Sequence, residues 1–443
     1  MRKQQLSAPI ILATVLFLVG CTFSSMLPVP PNQGLAPTVL KLATTKLSPE
    51  PPVTATQLSQ TAIPAAIQPL VTNTPALPPP DILTYKPYKI ASDLPKDGLP
   101  TDTLVVSGDL SALIHFNPKV RLENLTENDS GCLSTSPDGK WFAHCLVSKD
   151  SPTGQWLTVE SYDRRQQKRV PMNLRLIWFD SYEWLDDQRL IFPLISTNHA
   201  QPYPMVVINP FTGSHTQLSS NYPGLQRSPA GTATYMEFDY SDVVYDPSLN
   251  LVVFPEVGVN SYYVVWDRQR GSVVAKVEDH EGVDHYPLWS SDGKQLAVVV
   301  NEQEDPTKSI QDDWFRVSRA GQVDRLTHFA DYFNHDEIGA ANWSPDGQKL
   351  AFWLKTEIGA CSGQNLAILD VQTHQVIDTC VPGSSFYGEA VPPVWSLDSR
   401  YIAVQNHEND TTHIILVDIE QGWASYLPGA DRSQPIGWLV GTP

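Results

Sequence analysis

Cysteine pairs, basic residues and long apolar runs are all scarce in this chain, and each shortage excludes a class of protein. Five cysteines occur in 443 residues and none belongs to a Cys-x-x-Cys pair, which argues against a zinc ribbon or finger. Lysine and arginine total 30 against 48 acidic residues, and the formal net charge of -18 disfavours attraction to nucleic acid or to anionic lipid. We therefore expect no nucleic-acid partner.

Familiar catalytic motifs are missing as well. The segment from Gly383 to Gly388 brings serines near glycine without the Gly-x-Ser-x-Gly spacing of a hydrolase elbow. His280 and His285 are five residues apart, whereas the helical zinc motif needs four. Turns and loops explain both segments, so the sequence predicts no cofactor, and whether a metal binds stays open.

What the chain has instead is one phrase repeated at roughly fifty-residue spacing. Its copies join a Trp or its equivalent, Ser-Pro-Asp-Gly or a close variant, and an apolar residue before Ala; they lie at 136–143, 289–297, 343–351 and 395–403. Proline presets the first turn position, aspartate bonds its own backbone, and glycine takes the positive φ that ends the turn. Each copy therefore predicts a tight antiparallel hairpin, with the Trp as a packing residue.

Weaker copies extend the repeat along the chain. They lie at 184–192 and 245–253, and a last fragment at 436–440 stops where a turn would begin. This period is that of a four-stranded propeller blade. If Trp438 supplies the inner strand of a blade whose outer strands come from residues 102–126, the ring closes on itself. We predict an all-β propeller of seven blades, six continuous and one split, with six and eight blades as the alternatives.

These repeats resemble the TolB-type WD-like β-propellers, whose phrase reads Trp-Ser-Pro-Asp-Gly-x-x-Leu-Ala-Phe. The resemblance covers roughly residues 100–443. Such propellers serve as protein-binding platforms in the bacterial envelope, as extracellular repeats, or as the gating domain of prolyl-oligopeptidase and dipeptidyl-peptidase enzymes. This chain departs from TolB in its lipid-anchoring signal and from the peptidases in ending at the last blade, so the resemblance predicts fold and leaves the ligand open.

The N-terminus resembles a bacterial lipoprotein signal. A basic start is followed by an apolar stretch from Ile10 to Val19, too short for a comfortable membrane span, and by Leu-Val-Gly before Cys21. We expect a signal peptide over 1–20, lipidation of Cys21 as the membrane anchor, a Pro/Thr-rich linker over 21–82, and the propeller over 83–443. The alternatives are an ordinary signal peptide or a short anchor helix. The expected location is extracytoplasmic, at the bacterial cell surface or in the periplasm.

The four remaining cysteines are expected to form disulfides, as in other exported chains. Cys132 and Cys145 are equidistant from the centre of one tight turn, which places them opposite each other on paired strands. Cys361 and Cys380 bracket the outer hairpin of a single later blade. We predict these two pairs, with a zinc site as the competing interpretation.

A candidate binding rim follows from where the polar residues fall. The segments that connect one blade to the next approach the ring axis on one face, and they carry the candidate ligand-binding residues His280, Asp284, His285, His335, Asp336, Glu337 and Glu389. Solvated loop charges are the alternative.

Two functions follow. The first is a non-catalytic binding or scaffold module for a protein, peptide or glycan; the second is a metal-assisted hydrolase or lyase with its site at the channel mouth. The outer blade edges and the insertion 219–242 are further binding candidates.

Overall fold

The protein folds as a ring of seven mainly antiparallel β-sheets, each forming one blade. The structure is a computed structural model that describes residues 83–108, 111–125, 133–147, 155–171, 182–193, 205–218, 243–256, 261–280, 285–302, 311–333, 336–356, 361, 363–383, 391–408 and 411–441. Within these ranges the single helical element is a 3-10 turn, Phe329–Asp331. The predicted all-β propeller with seven blades is confirmed.

Blades 1 to 4 each have four strands, which run in the following order from the inner strand outward. Blade 1 consists of Ser433–Leu439, Thr103–Gly108, Ala112–His115 and Arg121–Asn124. Blade 2 consists of Ser134–Thr135, Trp141–Val147, Gln155–Ser161 and Gln167–Pro171. Blade 3 consists of Glu183–Asp186, Arg189–Pro193, Met205–Asn209 and Ser214–Leu218. Blade 4 consists of Val244–Tyr245, Leu251–Glu256, Ser261–Asp267 and Ser272–Asp279.

Blades 5 to 7 continue the same order. Blade 5 consists of Leu288–Trp289, Gln295–Asn301, Asp312–Ser318 and Val323–Arg325. Blade 6 consists of Asp336–Trp343, Lys349–Thr356, Gln364–Asp370 and Gln375–Pro382. Blade 7 consists of Val394–Trp395, Tyr401–Glu408, Thr411–Asp418 and Trp423–Tyr426. The first two strands of the described chain, Thr84–Tyr85 and Ile90–Ala91, lie outside blades 6 and 7.

Blade 1 closes the ring by combining the two ends of the propeller. Its C-terminal inner strand pairs antiparallel with Thr103–Gly108, and Leu104 lies opposite Trp438. Trp438 is buried between blades. The predicted split blade, with Trp438 on the innermost strand, is therefore confirmed, and the inner edge of blade 1 is paired.

The N-terminal strap, residues 83–100, is a feature that the sequence repeats do not predict. It adds a parallel fifth strand to two blades, with Thr84 opposite Ile377 and Ile90 opposite Ala424. The buried Tyr88 ring lies among the side chains between blades 6 and 7. The expectation of four strands per blade thus needs correction for these two blades, whose outer edges the strap covers.

The repeated phrase forms the turn between the first and second strands of a blade. In blade 2, the Ser136 hydroxyl donates to Asp138 Oδ1 at 2.7 Å and accepts the Trp141 N–H at 3.0 Å. Asp138 Oδ1 also accepts the Lys140 N–H at 3.1 Å. Gly139 has a φ of 66°, as the phrase predicts. Where a copy has no glycine at this position, Leu249 in the weaker copy at 245–253 and Ser399 in the copy at 395–403 adopt the left-handed conformation with φ of 60°.

The repeated tryptophans pack between neighbouring blades, where seven apolar clusters form the core. Trp343 Nε1 donates to the Leu288 carbonyl of blade 5 at 2.9 Å. Trp395 and Trp438 make the equivalent bond to the preceding blade at 3.1 and 3.2 Å. The inner strand of each of these blades is thus held to the preceding blade by packing and by one indole hydrogen bond.

Residues 1–82 lie outside the described part of the chain, and so do Cys21, the signal, the linker and the insertion 219–242. Among the described residues, no helix is long and apolar enough to cross a membrane.

Candidate functional site

The predicted binding rim lies on the face of the ring where the chain passes from one blade to the next. Every internal gap in the described residues falls at such a passage or between the second and third strands of a blade, which reach the same face. Asp284, His335 and Glu389 therefore lie outside the described residues, and so does the side chain of Asp336. The rim can be assessed at His280, His285 and Glu337.

Two of the predicted loop residues belong to a strand instead. Asp336 and Glu337 begin the eight-residue inner strand of blade 6, and Glu337 lies opposite Lys355 with 3.1 Å between the carboxylate and Nζ. The strand extends this far because a bulge between Ile338 and Ala341 bends it. The prediction that Asp336 and Glu337 lie in an inter-blade loop is thus wrong, and the Glu337 charge is balanced within blade 6.

His285 lies at the junction of three blades and is the strongest described candidate. Its backbone carbonyl accepts a hydrogen bond from the Tyr263 hydroxyl of blade 4 at 2.9 Å. Its Nε2 lies 3.6 Å from Oδ2 of Asp312, the first residue of the third strand of blade 5. The same Oδ2 accepts the N–H of Ile338 in blade 6 at 2.9 Å. Backbone and side chain together therefore hold the imidazole in place.

The pairing of His285 with Asp312 has a clear chemical consequence. The Asp312 side chain is 2 % exposed and that of His285 is 30 % exposed, so the carboxylate lies beneath an imidazole that still reaches solvent. A buried carboxylate favours an oriented imidazole, which can donate or accept a hydrogen bond with a ligand. The arrangement supplies one positioned polar group on the face where the blades connect.

His280 differs from His285 because its side chain is exposed and only its backbone is fixed. Its N–H donates to the Asn301 carbonyl at 3.3 Å, and the preceding Asp279 accepts the Asn301 N–H at 3.3 Å. Asp279 is 1 % exposed. Of these two neighbours, Asp279 therefore links blades 4 and 5, and His280 is the one available to a ligand.

The next passage along the ring is organised by Asp313. One carboxylate oxygen accepts the Thr327 hydroxyl at 2.6 Å and the Phe329 N–H at 2.8 Å, and the other pairs with Arg325 at 2.5 Å. These bonds fix the 3-10 turn that leads into blade 6. Asp331, at the end of this turn, lies 3.2 Å from His328 and is part of the same network. Asp313 therefore has a structural role.

The cysteine predictions can be assessed for one pair. Cys361 and Cys380 form a disulfide with their Cα atoms 5.4 Å apart, which ties the start of the outer hairpin of blade 6 to its last strand. Buried Asp378 lies beside this disulfide; burial raises the pKa of its carboxyl, opposed by the hydrogen bond from the Cys380 N–H. Cys132 lies outside the described residues, so its pairing with Cys145 stays a prediction.

No metal centre forms at the rim among the described side chains. Among all described residues, the metal-binding side chains whose ligand atoms converge are Cys361, Asp378 and Cys380 on the outer strands of blade 6, and their two cysteines are oxidised to a disulfide. His285 and Asp312 offer two ligands, which is fewer than the three of a usual catalytic zinc site. The described geometry thus gives no support to a metal-assisted enzyme at the channel mouth.

The sequence pattern indicates His285 but not its partners. Asp312 and Tyr263 lie on strands, at positions 27 and 22 residues away from His285 along the chain. No local motif connects them. The available signal was the Asp312-Asp313 pair directly before Trp314 and Phe315 at the start of a strand, because carboxylates at a strand end are buried only when they have partners.

Comparison with known proteins relates the chain to other propellers by structure alone. No protein-family model matches the sequence, and no curated protein matches it. Solved structures similar to this fold include TolB from Acinetobacter baumannii, with 16% identity, 74% of this chain and 78% of that chain covered, and a TM-score of 0.41. The periplasmic gluconolactonase of Pseudomonas aeruginosa has 15% identity, coverages of 77% and 99%, and a TM-score of 0.45.

A manganese complex of oligogalacturonate lyase has 12% identity, coverages of 76% and 85%, and a TM-score of 0.44. At these levels the similarities carry no conclusion about activity. The strand order and the repeated turns show a seven-bladed β-propeller, the fold that the resemblance to the TolB-type repeat predicts.

Proposed function

We propose that this protein is a lipid-anchored, extracytoplasmic β-propeller that acts as a non-catalytic binding or scaffold module for a protein, peptide or glycan. The observation that supports this best is the His285 imidazole, held over buried Asp312 at the junction of blades 4, 5 and 6. A rigid ring that presents fixed polar groups is suited to recognition.

The other described carboxylates near this face favour binding over catalysis. Asp313 is fully engaged with the 3-10 turn, and Glu337 pairs with Lys355. Apart from Asp312, these described carboxylates are thus engaged in structural contacts. Recognition through hydrogen bonds is therefore the function that we propose for the His285 and Asp312 pair.

The anchor belongs to the same proposal. The sequence around Cys21 is that of a lipoprotein signal, and the net charge of -18 suits a soluble domain held near a membrane without lying on anionic lipid. Replacing Cys21 by alanine should leave the mature protein soluble or trap the unprocessed precursor. Membrane fractionation tests this, and firm membrane association of the mature Cys21→Ala protein would show that the anchor lies elsewhere.

The decisive test of the binding site is affinity capture. The full chain is immobilised and incubated with envelope extract, and captured proteins and glycans are identified by mass spectrometry. We expect a specific partner whose capture is lost in His285→Gln, since glutamine keeps an N–H near Asp312 but lacks the imidazole. His215→Ala, on the exposed outer strand of blade 3, is the matched control and should capture as the parent does.

Two outcomes would contradict the proposal at different levels. Equal capture by His285→Gln and the parent would move the site away from the rim, to the outer blade edges or to the insertion 219–242. Capture that disappears when a chelator is added would instead favour the metal-assisted alternative. The melting temperatures of both variants should stay near that of the parent, because substitutions of solvent-accessible side chains change the free energy of unfolding by about 0.5 kcal/mol.

A further inference from the structure

We propose that Cys361, Cys380 and Asp378 form a binding site for Zn²⁺ when their disulfide is reduced. One ligand atom from each residue lies within 4.8 Å of the others. Two thiolates and a carboxylate form a ligand set that zinc accepts, and a water molecule would complete four-coordination. The site lies on the outer two strands of blade 6 and shares no residue with the proposed binding rim.

The buried carboxylate of Asp378 is the main reason to expect a cation at this position. Three other buried aspartates pair with arginine, Asp246 at 2.8 Å, Asp313 at 2.5 Å and Asp418 at 2.6 Å. Asp378 is 2 % exposed, and no basic side chain among the described residues forms an ion pair with it. Its Oδ1 accepts the Cys380 N–H at 2.8 Å. Because a buried charge needs a partner, a metal ion would supply the positive charge that arginine supplies elsewhere.

The backbone holds the three ligands close together. Asp378 and Cys380 are two residues apart on one strand, and Cys380, with a left-handed φ of 54°, lies in the bulge between Asp378 and Pro382. The strap fixes this bulge, because the N–H groups of Lys86 and Tyr88 donate to the carbonyls of Asp378 and Thr379 at 2.9 Å each. The ligands are thus positioned before any metal arrives.

The distances are compatible with a tetrahedral zinc site. Zinc–sulfur bonds of about 2.3 Å and zinc–oxygen bonds of about 2.0–2.2 Å place ligand atoms roughly 3.3–3.8 Å apart. The two sulfur atoms must therefore separate from bonding distance, which reduction allows. Both cysteines are half-buried, so water can reach the fourth position.

The redox step balances with an external dithiol as reductant. The dithiol gives two electrons and two protons to the cystine, which becomes two thiols, and is itself oxidised to a disulfide. Zn²⁺ then binds the two sulfur atoms and displaces their two protons. The disulfide and the zinc site are therefore mutually exclusive states of the same residues.

Metal titration of the full chain tests the site. The detergent-solubilised protein is reduced with a phosphine or left oxidised, equilibrated with Zn²⁺ as the only added metal, desalted and analysed for zinc. We expect about one zinc per reduced chain and less than about a tenth of that for the oxidised chain. Co²⁺ in place of Zn²⁺ should give thiolate-to-metal charge-transfer absorption in the reduced protein alone.

Variants assign the ligands. Cys361→Ser should lose the cobalt band and most of the zinc, and Asp378→Asn should weaken zinc binding at least about tenfold. Cys145→Ser is the matched control and should bind as the parent does, since it removes a cysteine distant from blade 6. Equal zinc in the oxidised and reduced parent, or full binding by Cys361→Ser, would overturn the proposal even if Asp378→Asn fails to fold.

Discussion

The interface between blades 5 and 6 is mainly apolar, whereas the interface between blades 1 and 2 combines a small apolar cluster with ion pairs. Fourteen buried apolar residues fill the first, including Trp314, Phe352 and Trp343. Five buried apolar residues are described at the second, and Phe142 is the only aromatic among them. Within the part of the chain that the structure describes, blade 1 is thus joined to blade 2 with less apolar packing than blade 5 to blade 6.

Polar side chains occupy the remaining space between blades 1 and 2. Arg164 of blade 2 lies 3.5 Å from Glu123 of blade 1, and Glu123 lies 3.2 Å from His115. Arg164 also contacts Glu160 at 3.2 Å, and Glu160 lies 3.6 Å from buried His144. We call these ion-paired side chains between blades 1 and 2 the polar seam. Mutations that change side-chain volume should weaken the apolar interface, whereas changes of pH should weaken the polar seam, because its ion pairs depend on protonation.

The largest expected effect is at the apolar interface. Trp343→Ala removes a side chain that is 5 % exposed and its hydrogen bond to the Leu288 carbonyl, so it should lower the free energy of unfolding by about 3 to 5 kcal/mol. Urea unfolding measures the loss. Trp423→Ala, at a partly buried indole on the outer strand of blade 7, is the control. A similar loss for both variants would contradict the assigned role of Trp343.

The polar seam should make the stability of the fold depend on pH in acid. Hydrogen bonding from His144, with further bonds from Gln167 and the charge of Arg164, lowers the pKa of Glu160 to about 2 against the effect of burial. A depressed carboxyl pKa stabilises the fold above the ordinary value of 4.5, and this stabilisation is lost as pH falls from 4.5 towards about 2. The full loss is on the order of 3 kcal/mol.

Burial, with the charge of nearby Arg121, lowers the pKa of His115 below 6.5, so its protonation also favours unfolding below that pH. Unfolding curves across this range should therefore fall less steeply with acid in Glu160→Gln than in the parent. The exposed Glu420→Gln is the control. An unchanged pH dependence in Glu160→Gln would rule out the seam as the acid-sensitive element.

A smaller effect is expected at Gly139, where the turn of blade 2 lies against blade 7 and the inner strand of blade 1. Gly139 has a φ of 66°, and a Cβ added there would lie 2.4 Å from Leu397 Cδ1 of blade 7. Gly139→Ala should cost about 2 kcal/mol through backbone strain and this clash. Gly213 has a similar φ of 73°, and a Cβ added there has no atom within 4 Å. Gly213→Ala therefore measures the backbone strain without a clash. Thermal unfolding of both variants separates the two contributions.

The smallest effect concerns the ion pair that crosses the seam. Arg164→Met should reduce the free energy of unfolding by about 1 kcal/mol, because the pair is only partly shielded from solvent. Arg165→Met removes the neighbouring pair with Asp163, in which the arginine is 85 % exposed, and should have no measurable effect. Raising the salt concentration should shrink the difference between the two variants.

Local chemistry explains why so much of the fold could be predicted from the sequence. The hairpins depend on residues within five positions of each other, such as Ser136, Asp138 and Gly139, so their signal is contiguous. The strap had no such signal, since its pairs, Thr84 with Ile377 and Ile90 with Ala424, are only two residues long and span almost the whole propeller. The same limit applies to Asp312, which meets His285 only after three blades assemble.

The repeat, the turn geometry, the closing strand at Trp438 and the Cys361–Cys380 pairing could all be predicted from the amino-acid sequence, because each depends on spacing within one blade or on the repeat count. The cationic partners of the buried carboxylates, the position of the strap and the differences between the interfaces became known only from the three-dimensional structure. Those properties arise from groups distant in the chain, whose burial and electrostatics exist only once neighbouring blades pack together.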